Sequence, residues 1–293
     1  MTKIREIIIH LHHIPHMTRS MFRRLLQLNA FTAIFTSSPS DLQELLQLNK
    51  GKANRLYHAI HDDRTYQRVK ETKAYCKIIT FFDELYPHQL RYIPDFPFVL
   101  YGIGNTHLLK SKKIISIVGT RRPSNEGREK TRRIVKPLVQ ADWIIASGFA
   151  RGIDSYAHRM TLAEGGHTIA ILGGGFHFIY PKEHHYLFQL MSQKGLVLTE
   201  YPPFMKPRKY FFPERNRIIS GIAQSTILIE AKERSGSLIT IDQALEQGKD
   251  VYVVPGSPLQ EQAEGCNMLI QEGAQLVLNG EDILRQMADF SPL

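Results

Sequence analysis

The stretch IISIVGTRRPSNEGREKTRRIVKPLVQADWIIASGFARGIDSYAH, residues 114–158, alternates two kinds of pattern. IISIVG (114–119) and WIIAS (143–147) are short, continuous apolar runs rich in β-branched residues. Strands read this way when both faces of a sheet are covered. The segments that follow each run suit helices. The alternation continues in HTIAILG (167–173), LVLTE (196–200), STILIEA (225–231) and VYVVPG (251–256). Strands alternating with helices predict an α/β domain with a doubly wound, mostly parallel sheet over residues 111–293.

Upstream the character changes. Residues 1–75 read as helical: MTRSMFRRLLQL places Met21, Leu25 and Leu28 at helical spacing. SPSDLQELLQLNKGKANRLYHAI offers Ser40 as an N-cap, and Asn49-Lys50-Gly51 divides it into two helices. Two short helices about a glycine turn predict a small domain of the SAM or helix-hairpin-helix kind. Residues 76–110 are rich in proline and aromatics with little periodicity, and predict an irregular linker packed on its neighbours.

Composition bounds the class. Of 293 residues, 43% are hydrophobic and 22% charged, an ordinary globular balance. No apolar run approaches the roughly 20 residues that span a bilayer, and the N-terminus lacks a signal peptide's apolar core. Cys76 and Cys266 form neither a disulfide framework nor a metal cluster. A cytoplasmic protein is expected. Charge is unevenly spread: residues 111–217 carry 18 basic against 8 acidic residues, whereas 218–293 carry 4 against 11. The basic middle suits a polyanion and the acidic end a different partner.

In an open parallel sheet, ligands bind beyond the carboxyl ends of the strands. The loops expected there carry Arg121 and Arg122, then Arg151 in SGFARGID, Lys182 in IYPKEH, and Arg215 and Arg217 after the aromatics Tyr210, Phe211 and Phe212. Glycine turns opening helices bare N–H groups to phosphate. A mononucleotide seldom needs so many cations, whereas a polymer backbone does. Aromatics among the cations suit unstacked bases, so single strands are expected. Catalytic signals are thin. Glu200 and Glu230 at strand ends are the carboxylates best placed for chemistry, Asp154 reads as a helix N-cap, and the His10, His12, His13, His16 group shows no metal spacing.

VGTRRPSNEG, SGFARGIDSYAH, LGGGFHFIYPKEH, FPERNRIISGIAQSTILIEA, SGSLITIDQALEQGKDVYVVPG and EGCNMLIQEGA, in this order, resemble the signature blocks of the DprA/Smf family. That resemblance implies an extended Rossmann domain that binds single-stranded DNA without sequence preference, forms a homodimer and loads RecA recombinase in natural transformation. It implies no cofactor and no catalysis. Carried onto matching positions, the DNA-facing candidates are Thr120, Arg121, Gly148, Gly152, Lys182, Arg215, Asn216 and Arg217, with Arg122 beside them. Self-association maps to Leu245, Ile270 and Gln271. His184 stands where the family usually has Asn, and the winged-helix module that some members append after the stretch matching GEDIL (280–284) is not expected here. The rival class is a nucleotide N-glycosidase of the lysine-decarboxylase-like group. Its PGGxGTxxE block is not matched by SGSLITIDQ (235–243).

Overall fold

The structure, a computed structural model, describes residues 2–289. Two compact units are present: residues 1–86 with 97–102, and residues 87–96 with 103–293.

Among the described residues the first unit holds five α-helices and a pair of antiparallel strands. The helices are α1 (Thr2–His12), α2 (Arg19–Gln27), α3 (Pro39–Leu46), α4 (Lys50–Ile60) and α5 (Asp63–Tyr75). Ser38, not Ser40, caps α3. Pro39 occupies the first helical position, where no N–H is needed, and Asp41 completes a reciprocal capping box with Ser38. Asn49 caps α4 by accepting from the Lys52 N–H at 2.9 Å. The stretch expected to be irregular contains two strands, β1 (Lys77–Thr80) and β2 (Val99–Gly104), paired antiparallel with Ile79 opposite Leu100. Each strand is only 4–6 residues long and flanked by Pro and aromatic residues, so its periodicity is too short to read. His10 and His13 are core residues. The Ile60 carbonyl lies 2.8 Å from His10 Nε2 and the Ile9 carbonyl 2.8 Å from His13 Nδ1.

The second unit alternates as the apolar runs predict. Its elements are β3 (Ile114–Val118), α6 (Gly127–Gln140), β4 (Ile144–Ser147), α7 (Ile153–Ala163), β5 (Thr168–Leu172), α8 (His185–Lys194), β6 (Leu196–Thr199), α9 (Phe211–Ile222), β7 (Ser225–Leu228), α10 (Leu238–Glu246), β8 (Asp250–Val253), α11 (Glu264–Gln271), β9 (Gln275–Leu276) and α12 (Gly280–Asp289). The strands lie in the order β6-β5-β4-β3-β7-β8-β9, every neighbouring pair parallel. Burying both faces requires the continuous apolar strands seen, and every residue of β3, β4 and β5 is buried. Helices α6, α7 and α12 pack together, as do α9 and α10. The order reverses at β3. Strands β4, β5 and β6 extend from one side of it, and β7 returns to the other. That reversal opens a crevice beyond the ends of β3 and β7.

Candidate nucleic-acid interface

A cleft of about 470 Å³ occupies this reversal point. Its walls are the 118–122 loop after β3, Ala150 and Asp154, the start of α9, and residues 232–240 after β7. A smaller recess beside it is lined by Arg121, Phe149, Arg151, Tyr180, Phe212 and Arg215.

Glu230 fixes the first wall. Its carbonyl accepts the Thr120 N–H at 2.7 Å. Its carboxylate accepts the Ser124 N–H at 2.8 Å and hydroxyl at 2.6 Å, and Lys130 Nζ lies 3.1 Å away. So held, the loop buries Thr120 and leaves Arg121 and Arg122 exposed. Neither arginine has a carboxylate within 4 Å among the described residues. Their charges are free for a ligand.

The second wall is built by close approach. A Cβ at Gly148 would meet Asp154 Oδ2 at 2.3 Å and Arg215 Nη1 at 2.5 Å. Gly152, at φ +72°, sits where a Cβ would meet the Thr120 carbonyl at 2.4 Å. Both glycines, expected to face DNA, meet a packing requirement that no side chain could satisfy. Asp154 is not a helix cap of the expected kind: its carboxylate accepts the Ala150 N–H at 3.2 Å and is 6% exposed. Burial pushes its pKa up, opposed chiefly by Arg215, and burial likewise lowers that of Arg215, opposed by Asp154. Arg215 donates from Nη1 to the Ile171 carbonyl. Its Nε is buried without a hydrogen-bond partner among the described residues.

The remaining expected residues divide. Asn216 lines the cleft and reaches the Gly236 carbonyl at 3.5 Å, tying α9 to the 235–237 loop. Lys182 is exposed and follows Pro181 of the recess wall. Arg151 pairs with Glu183 at the rim. Arg217 does not reach the cleft. Two positions beyond Arg215 on α9, it points elsewhere, buried against Glu200 with its Nε 3.2 Å from Asp95. Its expected DNA contact is thus replaced by a buried ion-pair cluster, which also occupies Glu200. Of the aromatics expected among the cations, Phe212 lines the cleft and Phe211 does not. Successive helical residues differ by a turn fraction, so Phe211 stacks on Tyr201 at 3.9 Å while Phe212 faces the cleft 5.6 Å from Tyr180. The adjacent pair of phenylalanines at a helix start was the available signal. His184 is buried and bonds the Phe149 carbonyl at 3.2 Å, bridging two loops of the recess.

His158 lies beneath this wall, fully buried, with its ring nitrogens 2.6 Å from the Gly148 carbonyl and 2.6 Å from the Thr168 hydroxyl. It shares no hydrogen bond with Asp154. Burial draws its pKa down from 6.5 to about 4. In acid the unfolded chain therefore takes up a proton before the folded one. The contribution is intact above pH 6.5 and is lost as pH falls through 4, up to about 3 kcal/mol. Denaturant titrations at pH 7 and pH 4 should show that loss, and His158→Asn should shrink it. An equal pH slope in both proteins would refute the assignment.

The profile of the family described as DNA recombination-mediator protein A matches residues 77–288. The chain belongs to this family. DNA processing protein DprA of Bacillus subtilis is 43% identical over 204 residues, covering 70% of this chain and 69% of that protein. Its Streptococcus pneumoniae counterpart is 44% identical over 204 residues, 70% and 72% of the two chains. The solved structure of DNA processing protein A from Streptococcus pneumoniae matches with a TM-score of 0.85 at 34% identity, covering 99% of each chain. DNA processing protein A from Helicobacter pylori, solved for its single-stranded DNA binding mode, matches with a TM-score of 0.66 at 29% identity over 73% of this chain and 96% of that one. The recombination-mediator match spans the whole cleft.

Proposed function

We propose that the cleft binds single-stranded DNA without sequence preference, and that the protein acts as a homodimer in the cytoplasm to load RecA recombinase, without catalysis or cofactor. One observation carries the DNA reading: Arg121 and Arg151 converge with buried Arg215, half-exposed Phe212 and exposed Tyr180 in one recess. Guanidinium groups hold phosphates, and ring faces stack on any base. The single-stranded DNA binding mode of the Helicobacter pylori relative supports it. The glycosidase reading needs a carboxylate free to act. Instead Glu200 is held by Arg217, Glu230 by Ser124 and Lys130, and Asp154 by the Ala150 N–H. Among the described residues no helix is long and apolar enough to cross a membrane.

Binding of labelled oligonucleotides at several salt concentrations tests the reading. Affinity is expected to fall with salt at roughly −0.7 in log–log slope per phosphate neutralised, with single strands preferred over duplex. A salt-independent affinity would sink it.

The self-association surface rests on Leu245 at 55% exposure, with partly exposed Ile270 and exposed Gln271, beside exposed Leu276 and Leu278. Apolar side chains left in water at the end of a sheet suit a second copy. Ile270→Arg is expected to give a monomer that still binds short oligonucleotides. A sedimentation coefficient identical to wild type would reject this surface.

A further inference from the structure

Helix α6 begins at the cleft and runs from the carboxyl edge of the sheet to the opposite edge. Its outward face is GREKTRRIVKPLVQ read at every fourth position. Arg128, Arg132 and Lys136 form one row, with Arg133 beside it. Each step of four advances about 6 Å along the axis, a spacing comparable to that of neighbouring phosphates on a strand. Arg128 is exposed, the side chains of Arg132 and Arg133 are 50% and 66% exposed, and Lys136 is partly exposed. One carboxylate, Glu129, answers both guanidiniums, at 2.7 Å and 3.2 Å, so it neutralises one of them at most. The two arginines hold its pKa down at about 2, so it stays a carboxylate. Glu281 lines the depression formed by Arg132, Arg133 and Lys136, and Glu164 lies near enough to Arg132 to act on its charge. At the far end Lys113 is exposed and donates to the Ala141 carbonyl at 3.2 Å, extending the row past the helix terminus. At the near end the loop from Arg122, a residue of the cleft wall, leads into the helix.

We infer that this band is a second binding segment for single-stranded DNA, holding by its phosphates the part of the strand that leaves the cleft past Arg122. The inference rests on the proposed cleft function. Continuity with the cleft and the sign of the charge select its occupant. Aromatic side chains are missing from the row, so it takes backbone rather than bases, and it adds affinity without adding sequence preference.

The test is a length series of labelled oligothymidylates at several salt concentrations, comparing the full chain with Arg128→Gln/Arg132→Gln/Lys136→Gln. The substituted positions are on the surface, and a matched thermal melt checks the fold. Wild type should bind more tightly as the strand grows beyond the cleft. The variant should match wild type on the shortest strands and lose the gain on long ones. Its log–log salt slope on long strands should be shallower by about 2, the value for three phosphates at roughly 0.7 each. Unchanged affinity and slope on long strands would overturn the band while leaving the cleft reading intact. Equal weakening on the shortest and longest strands would overturn it as well, since the row would then act only as a diffuse field. Absence of wild-type binding to any strand would overturn both readings.

Discussion

Arg121→Glu/Arg122→Glu is expected to weaken single-stranded DNA binding by on the order of 1000-fold at low salt. Both side chains are exposed on a loop whose shape is set elsewhere, by Glu230 holding Thr120 and Ser124. Reversing them removes two phosphate partners and adds two repulsions at the mouth of the cleft, leaving the loop's anchors untouched. Each lost guanidinium–phosphate contact is worth about 1 kcal/mol at a solvated rim, with a comparable penalty for each repulsion before salt screens it. The log–log salt slope should become shallower by about 1.4, the value for two phosphates. The melting temperature should stay near wild type. A folded variant with wild-type affinity at low salt would remove the cleft from the DNA path.

Arg217→Met is expected to destabilise the fold by about 3–5 kcal/mol while leaving the cleft's cations in place. The Arg217 side chain is 6% exposed and its main partner Glu200 is 5% exposed. Removing the arginine leaves a carboxylate in a dry interior, which costs more than the pair itself contributed. For a unit of this size the loss lowers the melting temperature by roughly 10 °C. Glu200→Gln added to Arg217→Met should recover much of it, because the uncompensated charge is gone; Asp95 is 35% exposed and keeps its water. Below the melting range, DNA affinity of Arg217→Met should match wild type. A stable variant that has lost DNA binding would restore Arg217 to the interface and refute the buried-pair account.

These two arginine positions show how far residue types reach. Arg121 and Arg217 look alike in sequence: each is a cation in a loop-proximal, basic stretch after a predicted strand. A sequence displays charge but not its neutralisation. Glu200 and Asp95 are 17 and 122 residues from Arg217, and only the packing of α9 over the sheet brings all three together. The same holds for Gly148 and Gly152. Their presence in a βα turn was legible as a place of close approach. What approaches within the fold is Asp154 with Arg215 in one case and the Thr120 carbonyl in the other. Phe211 and Phe212 were legible as an aromatic pair, and the helical turn between them alone decides which one is buried.

The strands of the parallel sheet were readable because burial on both faces forces uninterrupted apolar runs. β9, with two residues, and the hairpin strands β1 and β2 were not, because pairing partners rather than their own pattern make them strands. By itself the chain determined its α/β alternation, its basic middle and acidic end, and the loops in which chemistry would gather. These properties are local, set by side-chain period and composition. Tertiary structure decided which cations stay free, which carboxylates are consumed as struts, and that the crevice opens between β3 and β7. Those outcomes depend on distances between residues far apart in sequence, which exist only once the strand order is fixed.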